Sequence, residues 1–174
     1  MKTVQRLGCP FGFSFVEILV VIVILAIVAA VVVPNVGSGA DSQAISAARV
    51  VKSDLEVARS LAVATQQPHS VVFSPDRQSY KVVANYAGGA YASAVAVAHP
   101  VVANKPFAVT LVKQNGMSSV TVVSASFGGL AYVTFNSQGD PSAGGIVTLR
   151  AGATQMQVEV AALTGTVTVT RTAG

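Results

Sequence analysis

The chain has 174 residues, 10% of them charged, and a formal net charge of +4. That length favours one domain with a single modest core. With Lys2 and Arg6 in the first twelve residues set aside, nine Lys/Arg face seven Asp/Glu, too few and too scattered to attract nucleic acid by charge.

The single cysteine, Cys9, forms no intramolecular disulfide, so the fold stands without staples. A lipid-modified Cys9 fails on order, because a lipoprotein signal places its apolar core before the Cys and here it follows. Ile18 to Val33 is sixteen unbroken apolar residues, and Phe13 to Val33 is twenty-one interrupted only by Ser14 and Glu17. As a helix the longer stretch rises roughly 31 Å, about the thickness of a bilayer core. Lys2 and Arg6 precede it with no acid between them, so the positive-inside rule puts residues 1–12 in the cytoplasm and the rest outside.

Glu17 is the odd residue of this run. An ionised acid costs about 2.5–3.5 kcal/mol at the centre of a membrane helix and less near an end. Snorkelling to the headgroups makes Glu17 tolerable but gives no reason for it. A cationic partner gives one. The run holds no Lys or Arg, so the cation comes from another chain or from an α-amino group made by cutting just upstream.

The sequence GFSFVE (Gly12 to Glu17), a long apolar run and then Pro34 together resemble the N-terminus of type IV prepilins and pseudopilins. The resemblance implies that a prepilin peptidase cuts between Gly12 and Phe13 and N-methylates Phe13. It implies that Glu17 meets a neighbour's N-terminal amine during filament assembly, and that Pro34 kinks the helix. Phe15 departs from the family, which usually has Leu there. The implied partners are other pilin or pseudopilin subunits, the peptidase, an inner-membrane assembly platform and membrane lipid. The implied location is the bacterial inner membrane, single-pass, and then a filament. A conventional secretory signal is the competing reading. Its core would be Ile18 to Val28 and its cleavage site Val28-Ala29-Ala30, releasing a chain starting near Val31. Glu17 and the continued run Val31–Val33 argue against it.

Pro34, Gly37 and Gly39 then break or bend the helix, with Asp41 or Ser42 as cap. Asp41 to Gln67 reads as an amphipathic helix: Ile45, Ala48, Val51, Leu55, Ala58 and Ala62 recur at spacings of three and four and are expected to pack on a sheet. Arg49, Lys52, Glu56 and Arg59 fall mostly between them as a solvated face, and Pro68 ends the helix. From His69 the pattern turns to period two. A hairpin is predicted with strands Val71–Phe73 and Tyr80–Val83. A loop over 85–106 follows, then strands in 107–113, 118–126, 130–136, 145–150, 155–163 and 165–172, with a tight turn at Thr164-Gly165. The expected organisation is α+β: a leader over 1–12, an assembly helix over 13–34, a kink and amphipathic helix over 35–67, and an antiparallel β-rich domain over 68–174.

One long helix and then a cysteine-free β domain is similar to the GspH/FimT group of minor pseudopilins and pilins, which serve type II secretion or type IV pili. The segments 58–80, 133–149 and 158–169 carry that narrower likeness.

No catalytic pattern emerges. His69 and His99 are thirty residues apart and neither has ligand-like spacing with Cys, Asp or Glu. Asp140 stands alone among acids in its loop and reads as a turn residue. There is no nucleophile elbow and no Walker loop. The expectation is a structural subunit, neither an enzyme nor a cofactor or metal protein. Some FimT-like pilins bind DNA through a basic C-terminus, but the last strand and tail hold only Arg171, with Arg150 as a candidate neighbour. One cation neutralises about one phosphate. A β domain that binds DNA or an exported substrate is therefore the secondary alternative.

Overall fold

The computed structural model describes residues 14–32, 39–114 and 116–172. Leader residues 1–12, the cleavage pair Gly12 and Phe13, and the predicted kink at Pro34 lie outside the described residues. The chain divides into two compact units between Gly37 and Ser38.

The first unit holds one helix, α1 (Phe15–Val32). The Ser14 carbonyl accepts from the amides of Glu17 (3.0 Å) and Ile18 (3.2 Å), closing its first turn. Among the described residues no helix is long and apolar enough to cross a membrane. The 18 residues of α1 rise about 27 Å, short of a hydrocarbon core of about 30 Å. The predicted span of 13–34 extends past both ends of α1.

The second unit opens with α2 (Gly39–Thr65). It starts two residues earlier than the sequence suggests, so Asp41 lies within the first turn and is not the cap. There the carboxylate suits the positive end of the helix, accepts a hydrogen bond from Thr154 and pairs with Arg171 at 3.8 Å. The helix ends before Pro68, with Gln66 in the left-handed region (φ 54°). Its buried stripe is Ala44, Ala47, Ala48, Val51, Leu55, Ala58 and Ala62. Five alanines in that stripe let the helix backbone approach the strands closely. Ile45, expected in the stripe, is only half-buried at its margin.

Eight strands follow: β1 (His69–Phe73), β2 (Ser79–Ala84), β3 (Ala108–Thr110), β4 (Val120–Phe127), β5 (Tyr132–Phe135), β6 (Gly145–Ala151), β7 (Thr154–Val160) and β8 (Val167–Thr172). They form two antiparallel sheets, ordered β3-β2-β1-β5 and β4-β6-β7-β8. The predicted hairpin is β1–β2, with Phe73 opposite Tyr80. In its turn Asp76 accepts from Ser74 Oγ and from the Gln78 amide, and those two donors hold its carboxyl below the ordinary range. The segment predicted as a strand over 107–113 is strand only at β3. It then tightens into a 3₁₀ turn, Leu111–Lys113, which buries Leu111.

A β-bulge ties the sheets together. The register of β4 slips between Val122 and Ser124, and the Val122 amide donates to the Arg77 carbonyl in the β1–β2 turn (3.2 Å). The extra residue flips the strand's parity. Val120 and Val122 point inward before it, Ala125 and Phe127 after it. Phe127 then stacks on Phe73 of the other sheet, with ring centroids 6.1 Å apart. Gly145 opposes Phe127, and a Cβ there would lie 2.2 Å from the Ser126 carbonyl, so only glycine fits. The core formed between α2 and the strands contains Leu55, Tyr80, Phe107, Phe127, Phe135 and Leu149.

Candidate assembly interface

The apolar residues of α1 run all the way round the helix. Twelve large apolar side chains between Phe15 and Val28 are exposed, from 48% at Val21 to 80% at Phe15. A half-exposed side chain of this size forfeits about 1 kcal/mol of burial, on the order of 10 kcal/mol for the set. A helix that is apolar on every side needs a non-aqueous surround. Glu17 is the one ionisable residue in it and sits in the first turn, where the helix dipole favours a negative charge.

The predicted site residues therefore fall into two groups. Glu17 is placed at the head of α1, while Gly12, Phe13 and Pro34 lie outside the described residues. Among the described residues no cation pairs with Glu17.

The other unit carries polar groups of a different kind. His69 is buried on β1, its Nδ1 3.0 Å from the Gln67 carbonyl. His99 packs on Phe107 (4.5 Å between ring centroids), and its Nδ1 accepts from the amides of Val101 (3.1 Å) and Val102 (3.2 Å). Both imidazoles thus hold local structure. Asp140 is a turn residue: its amide donates to Asn136 Oδ1 (2.8 Å), and its carbonyl accepts from the Asn136 amide (3.0 Å). Among the described residues no cluster of His, Cys, Asp or Glu suits a metal ion.

Arg150 and Arg171 do not form a joint basic patch. Arg150 opposes Gln155, which opposes Thr172; Arg171 opposes Met156, which opposes Leu149. Directly paired residues share a face and successive residues alternate, so the two arginines project from opposite faces of the sheet. Arg171 turns toward α2 and Asp41, while Arg150 Nε donates to the Gly152 carbonyl (2.9 Å).

Two polar contacts of α2 escape its hydrophobic pattern. Tyr80, fully buried on β2, donates to Asp54 Oδ2 at 2.6 Å. Burial holds the Asp54 carboxyl above its ordinary value, while the Tyr80 hydrogen bond and the His99 ring pull it back. Burial and the neighbouring carboxylate push the Tyr80 phenol well above its usual range. Arg59, expected in solvent, donates Nε to the Gly139 carbonyl (2.9 Å). Gly139 has φ 88°, and a Cβ there would come within 3.1 Å of Arg59 and Val63, so the arginine pins a glycine turn. Both contacts left a trace in the sequence. Asp54 is three residues after Val51 and four before Ala58, and Arg59 is four after Leu55 and three before Ala62. Each is a charge at the helical spacing of the buried stripe.

Comparison with known proteins bears on these features together. The family model described as "Type II transport protein GspH" matches residues 47–165, about two thirds of the chain. The match runs from α2 through the β7–β8 loop and does not include α1. No curated protein sequence matches. The minor pseudopilin EpsH from the type 2 secretion system of Vibrio cholerae superposes with a TM-score of 0.51 at 12% identity, covering 75% of this chain and 97% of EpsH. The type IV minor pilin FimU of Pseudomonas aeruginosa gives 0.50 at 13% identity, over 75% of this chain and 89% of FimU. At such identities the likeness is one of fold.

Proposed function

Because the chain belongs to the GspH family, whose members are structural subunits that assemble with other pilin-type subunits and not enzymes, we propose that it is a minor pseudopilin or pilin anchored by its N-terminal helix and matured from a precursor. Its setting is a type II secretion pseudopilus or a type IV pilus. Lys2 and Arg6 orient the precursor with its leader in the cytoplasm. The prepilin peptidase cuts between Gly12 and Phe13 and methylates the new amine of Phe13. Residues 13–34 hold the subunit in the inner membrane as a single pass, with α2 and the two sheets outside. The assembly platform then moves the subunit into the filament, where Glu17 neutralises a neighbour's N-terminal amine in an apolar surround. Opposite charges attract strongly in such a medium, and either one alone is penalised, so the pair selects register.

The observation that carries this reading is the all-round apolar surface of α1 with one acid at its head. Lipid covers that surface before assembly and neighbouring helices cover it afterwards. The test is Glu17→Ala. Cleavage after Gly12 proceeds as in the parent chain, while incorporation into sheared filaments drops sharply, because an unpaired buried charge costs about 3–5 kcal/mol. Normal incorporation of the variant contradicts the proposed role.

A further inference from the structure

We propose that the groove between α2 and the β7–β8 edge binds the headgroup of an anionic phospholipid at the surface of the membrane that holds α1; this rests on the anchored reading above. The groove has a volume of about 410 Å³. Ile45, Met156 and Val169 form its apolar floor, Arg49, Lys52 and Arg171 its rim, and no acid lines it. The strand register explains the mixture. Arg171 opposes Met156, and Val169 lies two residues before Arg171 on the same face.

Two rim cations have carboxylate partners. Lys52 lies 3.7 Å from Glu56 and Arg171 lies 3.8 Å from Asp41, both partly exposed pairs. Exposed ion pairs contribute little, so a phosphate displaces Glu56 from Lys52 readily, whereas Arg171 also donates to Thr154 Oγ1 at 3.4 Å and keeps its place beside Asp41 while its exposed side meets the phosphate. The exposed Arg49 side chain makes no hydrogen bond or ion pair among the described residues. A phosphodiester above an apolar floor matches the glycerol-phosphate junction of a lipid, where cations meet the headgroup and the side chains of Ile45 and Val169 meet the first methylenes. A nucleic-acid strand is a poorer fit, because no aromatic residue lines the groove for a base to stack on.

Chain continuity favours a membrane-bound ligand over one in solution. Seven steps along the chain separate Val32 of α1 from Gly39 of α2, at most about 25 Å fully extended. The cations at Arg49 and Lys52 follow within the first half of α2. A tethered surface presents headgroups at high effective concentration, so weak intrinsic affinity suffices.

The chain contains no tryptophan, so Ser46→Trp provides a single fluorescent reporter three residues before Arg49. The full chain carrying it is reconstituted in nanodiscs of phosphatidylglycerol or phosphatidylcholine, each with a headgroup-region quencher. Stronger quenching in phosphatidylglycerol is expected, and it weakens as salt is raised. Adding Arg49→Glu and Lys52→Glu reduces the docked-to-free ratio by about thirtyfold or more, whereas Arg150→Glu, on the opposite sheet face, leaves it unchanged. Equal quenching in the two discs, or quenching indifferent to the double reversal, overturns the proposal. So does shielding that appears only when a partner pilin subunit is added, which assigns the groove to a protein interface. A chain that fails to enter the discs at all overturns the anchored reading, and with it this one.

Discussion

The two helices of this chain solve opposite problems. In α1 the apolar side chains face every direction and its one charge, Glu17, stands at the first turn. In α2 they are gathered into one alanine-rich stripe against the sheets, and its charges occupy the margins. The second pattern is satisfied within the unit, since the stripe is fully buried. The first finds no apolar cover among the described residues of its own unit. A helix apolar on every side suits the proposed surround of lipid or other subunits, and that contrast separates the folding role of α2 from the proposed assembly role of α1.

Substitutions of the same kind in the two helices sharpen the contrast. Leu55→Ala opens a cavity under α2 and lowers stability by about 2–5 kcal/mol, read as a fall in the denaturation midpoint. Leu25→Ala in α1 leaves the same midpoint of the β-rich unit unchanged; equal losses from both would break the distinction. Tyr80→Phe comes next. It strips the half-hidden Asp54 carboxylate of its donor and costs about 1–3 kcal/mol in the same assay. Arg59→Ala frees the Gly139 carbonyl and removes the arginine stem, a loss of about 1 kcal/mol, with faster amide exchange in the 136–140 turn as its local signature.

The smallest effect is in pH dependence. A carboxyl held above its ordinary value of 3.8 in the folded chain keeps a proton that the unfolded chain has released. Stability from Asp54 is thus fully present below 3.8 and is lost as pH rises through the folded value. Asp54→Asn still accepts from Tyr80 and removes this slope. Stability-against-pH curves of the two chains that run parallel above 3.8 would show that Asp54 does not titrate as described.

Much of the β-rich unit was legible because its strands alternate and its turns carry Gly and Asn. The β1–β2 hairpin was visible in period and composition, and so was the α2 stripe, apart from Ile45 at its edge; the turn expected at Thr164-Gly165 is instead a longer connection from Ala161 to Thr166, closed by the Ala161 amide on the Thr166 carbonyl. What was hidden depends on contacts across the chain. The β4 bulge is set by an amide that reaches Arg77, 45 residues away in sequence. The early start of α2 is supported by Asp41 meeting Thr154 and Arg171, and the Arg59 clamp needs a turn 80 residues on. The separation of Arg150 from Arg171 follows from register, which sequence alone does not set when Thr and Val alternate so evenly. For the candidate site the order is reversed. Gly12, Phe13 and Glu17 are proposed from their resemblance to prepilins, and the fold adds only the position of Glu17 at the head of α1 and the exposed apolar surface of that helix.

The most direct test is the intact mass and N-terminal sequence of the protein from its native membranes. The account predicts a chain that begins at N-methylated Phe13. A chain that begins near Val31 would identify a conventional signal, release a soluble β domain, and contradict both the anchor and the assembly role of Glu17.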